Sequence, residues 1–208
     1  MMFKPWRFGA ISLILSVLLV FTVGLPKSHA SELKSQGITV AIASELEQPA
    51  AVPMMALSSA KAIVKSTTDP SEVLGEAVFT ELETGLEIAV ILNNAPGGTH
   101  GFHIHEMGSC ADNGKAAKGH FNPDNVKHGY LPTDGFENAH AGDLGNIEIS
   151  ENGVGIMDLT LEGLSLESGK YAIANRSVIL HAQADDYGQP TGNAGDRVGC
   201  GVINLAAM

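Results

Sequence analysis

The chain has 208 residues and a formal net charge of −11, with 12 Lys+Arg against 23 Asp+Glu. That balance offers no basic face to neutralise phosphates, which argues against nucleic acid and against an electrostatic membrane patch as partners. Two cysteines cannot build a Cys-rich zinc module or a dense disulfide scaffold, whereas 24 glycines and 5% aromatic residues suit a turn-rich, all-β chain.

Lys4 and Arg7 precede an apolar run over residues 8–25, and Ser28 and Ala30 are small residues at the spacing of a cleavage site. This order reads as a signal peptide over residues 1–30. The run is also about long enough to span a bilayer, so an uncleaved anchor is the alternative. Either way the positive flank stays inside and the remainder is exported, with no stable membrane partner once the leader is cleaved. Residues 31–57 are small, polar and proline-containing and show no period, as expected of a flexible N-terminal extension. Met54 and Met55 offer soft copper ligands, although two apolar residues in a tail is the simpler reading.

From residue 58 to 208 the sequence reads as one domain with a period of two. Strands are expected at 61–64, at 77–80 and at 86–92, where Leu86, Ile88, Val90 and Leu92 alternate with Glu87, Ala89 and Ile91. Further short runs fall at 100–105, 145–150, 154–161, 177–182 and 199–204. Eight short strands between Gly, Asn, Asp and Pro signals predict a β-barrel or sandwich, with no sustained helical periodicity. The gap from 106 to 144 is too long for an ordinary connection and is filled with ligand-type side chains, which marks it as functional.

Seven of the eight histidines fall between positions 100 and 181. In Phe102-His103-Ile104-His105, the strand period puts both imidazoles on one face and the two apolar side chains on the other. Alone, such a pair is weak. Here His120, His128 and His140 follow, with Asp143 three residues after the last, which is a donor set suited to tetrahedral zinc. His181 closes a further strand, next to Asp185 and Asp186.

The segments HGFHIHEMGSC (100–110), GHFNP (119–123), HAGDLGN (140–146) and GNAGDRVGCGVI (192–203) resemble copper/zinc superoxide dismutases, in the family order, over roughly residues 60 to 205. The resemblance implies an eight-stranded Greek-key barrel with long metal-binding and electrostatic loops. It implies copper held by His103, His105, His120 and His181, and zinc held by His120, His128, His140 and Asp143, one of each metal per subunit. His120 would bridge the two metals, Asp185 would link His103 to His128, and His100 would be structural. It further implies a disulfide between Cys110 and Cys200, superoxide as substrate, Arg197 as the catalytic arginine beside copper, and His120 as a proton carrier. The short segment from Asp185 to Arg197 resembles bacterial exported members, which places the protein in the periplasm, with secretion or anchoring by the leader as alternatives. A homodimer stays open.

Superoxide is an anion, and loss of the leader would remove three cations and no acid, deepening the charge from −11 to −14. Global attraction is excluded, so a local field must draw the substrate in. Arg197, with Lys115 and Lys118 as further candidates, would supply it. Asn175-Arg176-Ser177 is a glycosylation sequon, meaningful only in a eukaryotic secretory pathway. Two rival functions remain: an exported copper/zinc-binding module without turnover, and a zinc hydrolase. The second is weakened by Met107, which stands where such sites place an acid two residues after His105.

Overall fold

The computed structural model describes residues 58–207. The expected signal peptide, the expected N-terminal extension and the Met54–Met55 pair lie outside these residues. Alternation alone dictates β3 (Gly85–Leu92): Leu86, Ile88, Val90 and Leu92 are fully buried, while Glu87, Ala89 and Ile91 face outward. β1 (Ser59–Ser66) alternates likewise, and β2 (Val73–Glu81), β4 (Gly98–His105), β5 (Asp143–Ile149), β6 (Gly155–Glu162), β7 (Ser177–His181), buried throughout, and β8 (Arg197–Val202) complete the set. All pairings among them are antiparallel. The order β2-β3-β6-β5-β4-β7-β8-β1, with β1 also pairing β2, closes an eight-stranded barrel. Because β3 neighbours β6 and β4 neighbours β7, the chain crosses the barrel end between β3 and β4, as a Greek key requires.

The interior is lined by Phe79, Ile88, Phe102, Ile104, Leu144, Ile147 and Leu180, among others. Each such fully buried side chain stabilises the fold by about 1.5–3 kcal/mol. A second, smaller cluster lies outside the barrel wall, where Ala117, Ile179 and Cys200 pack with Cys110. Cys110 and Cys200 are disulfide-bonded, 90 residues apart in sequence. The long segment after β4 is therefore fastened to β8 over an apolar patch of β7.

Most strands begin or end one to four residues from the sequence expectation, and three departures go further. The last expected strand splits into β8 and a two-residue β9 (Asn204–Leu205), because buried Ile203 instead bonds the backbone of Asn175 and Arg176. Asp143, expected in the loop, opens β5 and pairs with His103. Within the loop, Lys115–Ala117 forms a 3-10 turn, and Leu131–Asp134 forms one turn of helix, α1. Among the described residues no helix is long and apolar enough to cross a membrane.

Candidate metal centre

Strand β4 is buried on both faces along 100–105. Phe102 and Ile104 enter the barrel, and His103 and His105 stand on the outer face beneath the long segments that follow β4 and β7. Pairing of β4 with β7 and of β7 with β8 brings His181 and Arg197 to the same end. The isolated bridge between His105 and His120 carries the incoming loop across the imidazoles.

Two groups of four donors result, each within 4.8 Å of one another: His103, His105, His120 and His181, and His120, His128, His140 and Asp143. All seven residues are buried. His120 belongs to both groups. Its Nδ1 lies 2.8 Å from Asp143 Oδ1, and the carboxylate also meets His128 Nδ1 at 2.9 Å and His140 Nδ1 at 3.1 Å. Four donor atoms thus converge on one point. In the first group, His103 is held through Nε2 by Asp185 at 2.8 Å and His105 through Nδ1 by the Lys118 carbonyl at 2.8 Å, leaving His103 Nδ1 and His105 Nε2 for a metal. His105 Nε2 lies 3.3 Å from His181 Nε2. The fit to a metal pair is supported by His103 Nδ1, which is buried without a hydrogen-bond partner, as is His100 Nε2 outside both groups. Such orphans are rare unless an ion satisfies them. His100 joins neither group; its Nδ1 bonds the His181 carbonyl at 2.8 Å.

Around these donors runs a supporting shell. Asp185 accepts from His103 Nε2 and from His128 Nε2, so one carboxylate orients an imidazole of each group. Its position depends on Gly192, in the left-handed region at φ +76, where a Cβ would overlap Asp185 Oδ1 and approach His128 Nε2 to 2.7 Å. Arg197 Nη1 donates to the Gly114 carbonyl at 2.5 Å and Nη2 donates to that of Lys118, so its guanidinium is fixed in place. With exposed Lys115 it lines a cavity of about 300 Å³. Lys118 is exposed nearby.

Several supporting residues escaped the sequence reading. Asn146 bonds both the N–H and the carbonyl of Asp185, and it lay within the HAGDLGN segment without a role. Gln189 bonds the backbone of His128. Arg176 stacks 3.4 Å over Phe121, next to His120, and donates to the Glu106 carbonyl. A lone Gln or Arg carries no signal at the sequence level, because its partner is far along the chain.

The electrostatics suit cation binding. Burial, then the neighbouring His120, pushes His105 well below the usual histidine range. Burial lowers His120 to about 4 and His181 to about 3, and the Arg197 charge adds to the depression of His105 and His181. These imidazoles are neutral, as ligands must be. Burial opposes charge on His128, but its hydrogen bonds to Asp143 and Asp185 outweigh that and raise it to about 9. Asp143 and Asp185 are held well below the ordinary carboxylate range, histidine contacts outweighing burial.

The stability of the metal-free protein should follow. His105, His120 and His181 bind protons more readily unfolded, so stability falls as pH drops from about 6.5 toward 4, by up to about 1.4 kcal/mol per pH unit for each group. His128 acts oppositely, its stabilisation being lost as pH rises from about 6.5 through 9. Below about 4 the two aspartates lose theirs as well. Urea melts of the metal-free protein are expected to show maximal stability near pH 6.5, declining on both sides; a flat profile between pH 4 and 6.5 would contradict the neutral-histidine assignment.

A barrel whose outer wall carries two fused donor groups with one shared imidazole defines a class of binuclear metalloprotein. Residues 73–203 match the family described as copper/zinc superoxide dismutase. The chain belongs to that family. It is 38% identical to an extracellular superoxide dismutase [Cu-Zn] of Caenorhabditis elegans over 141 residues, covering 64% of this chain and 62% of that protein. It is 36% identical to a superoxide dismutase [Cu-Zn] of Legionella pneumophila over 140 residues, covering 66% of this chain and 82% of that one. Among solved structures, the clock protein EA4 matches at 38% identity and TM-score 0.63, over 73% of this chain and 96% of that one. A SOD-like protein from Bacillus subtilis matches at 35% identity and TM-score 0.61, over 69% and 96%. The chain thus spans somewhat less than two thirds of the nematode protein's length.

Proposed function

We propose that the protein is an exported superoxide dismutase that converts two superoxide anions and two protons into oxygen and hydrogen peroxide. The observation that carries the reading is the sharing of His120 by two complete four-donor groups. His103, His105, His120 and His181 would hold copper; His120, His128, His140 and Asp143 would hold zinc. When bound, copper supplies one-electron exchange in both directions, and zinc supplies fixed positive charge without redox chemistry.

The chain's own residues do the rest. Arg197, fixed by two carbonyls, presents positive charge beside His105 and His181 and orients the small anion. Lys115, on the same cavity, adds to the local field in an otherwise acidic protein. Asp185 engages Nε2 of His103 and of His128, so that in each ring Nδ1 is the nitrogen turned toward its donor group. Nε2 of His120 is the atom where a proton can be held for peroxide formation, its Nδ1 being engaged on the Asp143 side. The disulfide and the extracellular relatives support export, and the compact 185–197 segment favours a periplasmic location.

Metal analysis of the purified protein with a superoxide-decay assay tests this reading. One copper and one zinc per chain and accelerated decay are expected; a loaded protein without acceleration would instead indicate a metal-binding module. Arg197→Ala should lower the second-order rate constant by about tenfold or more at unchanged copper content. An unaltered rate at low ionic strength would remove the role given to Arg197.

A further inference from the structure

We infer that Gln189 is a positioning residue for His128 and that its side-chain amide governs how firmly zinc is held. The inference rests on the zinc reading of the second donor group. His128 lies in a stretch, residues 125–130, that is neither helix nor strand. It is 4% exposed, so its N–H and C=O need partners. Among the described residues no backbone group outside a ladder provides one. Gln189 provides both: Oε1 accepts the His128 N–H at 3.1 Å, and Nε2 donates to the His128 carbonyl at 2.8 Å.

A primary amide carries a donor and an acceptor on one plane, so a single side chain closes a two-bond pair of the kind made between strands. Asp185, four residues earlier, meanwhile grips the ring of the same histidine through Nε2 at 2.9 and 3.0 Å. Backbone and ring of one zinc-side ligand are therefore fixed from a single segment. The other zinc-side donors are anchored differently. Asp143 is part of β5, His140 is tied by its own N–H to Asp143 Oδ2, and His120 sits in a bridge to His105. His128 alone depends on a distant side chain for its main chain.

The geometry also says what a loosened His128 would permit. An open cleft of about 840 Å³ is lined by His120, His128, His140 and Gln189, and it contains none of the three histidines confined to the first group. Release of the Gln189 pair would let His128 swing toward that cleft and expose the zinc side to water, leaving the copper side covered.

The test compares wild type with Gln189→Ala and with Gln189→Met, which is close in size but has no amide. Each is loaded with copper and zinc and challenged with excess chelator; in parallel, cobalt replaces zinc so that its visible bands report the geometry of the site. Both variants are expected to release zinc about 10–100-fold faster, with copper release within about twofold of wild type and shifted cobalt bands. If Gln189→Met kept zinc like wild type, or if both metals were lost together, the positioning role would be overturned. A wild-type protein that takes up neither zinc nor cobalt would instead sink the zinc reading itself.

Discussion

Asp143→Ala should abolish zinc binding and destabilise the metal-free protein by about 3–5 kcal/mol, the range for removing one partner of a buried charged network. The carboxylate is fully buried and is the only anion of its donor group. It faces three imidazole nitrogens and also accepts the Gly129 N–H at 3.0 Å and the His140 N–H at 2.9 Å. The alanine variant would strand two backbone donors and leave His128, with its raised proton affinity, without one of its two counter-charges. Asp143→Asn separates the contributions. It keeps an acceptor oxygen but no charge, so it should lose zinc nearly as completely while recovering much of the stability. Zinc content and urea melts of the metal-free proteins measure the two quantities. Copper should be retained better than zinc, since His103, His105 and His181 are untouched. Equal loss of both metals in the asparagine variant would mean that the two donor groups do not function separately.

The barrel was legible where alternation is strict. Leu86 to Leu92 on β3 and the Phe102-His103-Ile104-His105 stretch on β4 place their side chains on the faces that period two assigns. It was less legible where tertiary contacts overrode the local pattern. Ile203 leaves the ladder to bond the turn before β7, and Asp143 joins β5 despite belonging to a ligand-rich loop. The site divides similarly. His103 and His105 share a face for a reason internal to their strand. Nothing local to the other histidines brings them there: loop closure and the resemblance to a known family had to carry that expectation. Gln189, Asn146 and Arg176 were invisible because each acts on backbone far away in sequence, at separations of 61, 39 and 70 residues. Sequence periodicity speaks to which face a residue occupies, and hydrogen bonds of this kind have no period.

Removing the disulfide with the Cys110→Ser, Cys200→Ser pair should cost about 4–5 kcal/mol in the chain-entropy account, because the bridge closes a loop of 90 residues. For a domain of this size that corresponds to a fall in melting temperature of about 10 °C or more. The functional loss should exceed what stability explains. Segment 110–118 carries the Gly114 and Lys118 carbonyls that fix Arg197, and the Lys118 carbonyl also holds His105 Nδ1. Cys110 anchors the start of that segment: its own carbonyl accepts the Gly114 N–H at 3.2 Å, and its side chain packs on Ala117 and Ile179. Freed from β8, the segment would let the guanidinium and His105 shift together, while the zinc-side donors, borne by residues 120–143, keep their supports. The expected result at a temperature where the variant remains folded is therefore a reduced superoxide rate constant and weakened copper retention with zinc content unchanged. Thermal melts, metal analysis and decay kinetics on one preparation decide it. A variant that melts lower but reacts at the wild-type rate would show that the Arg197 and His105 hydrogen bonds hold the segment unaided.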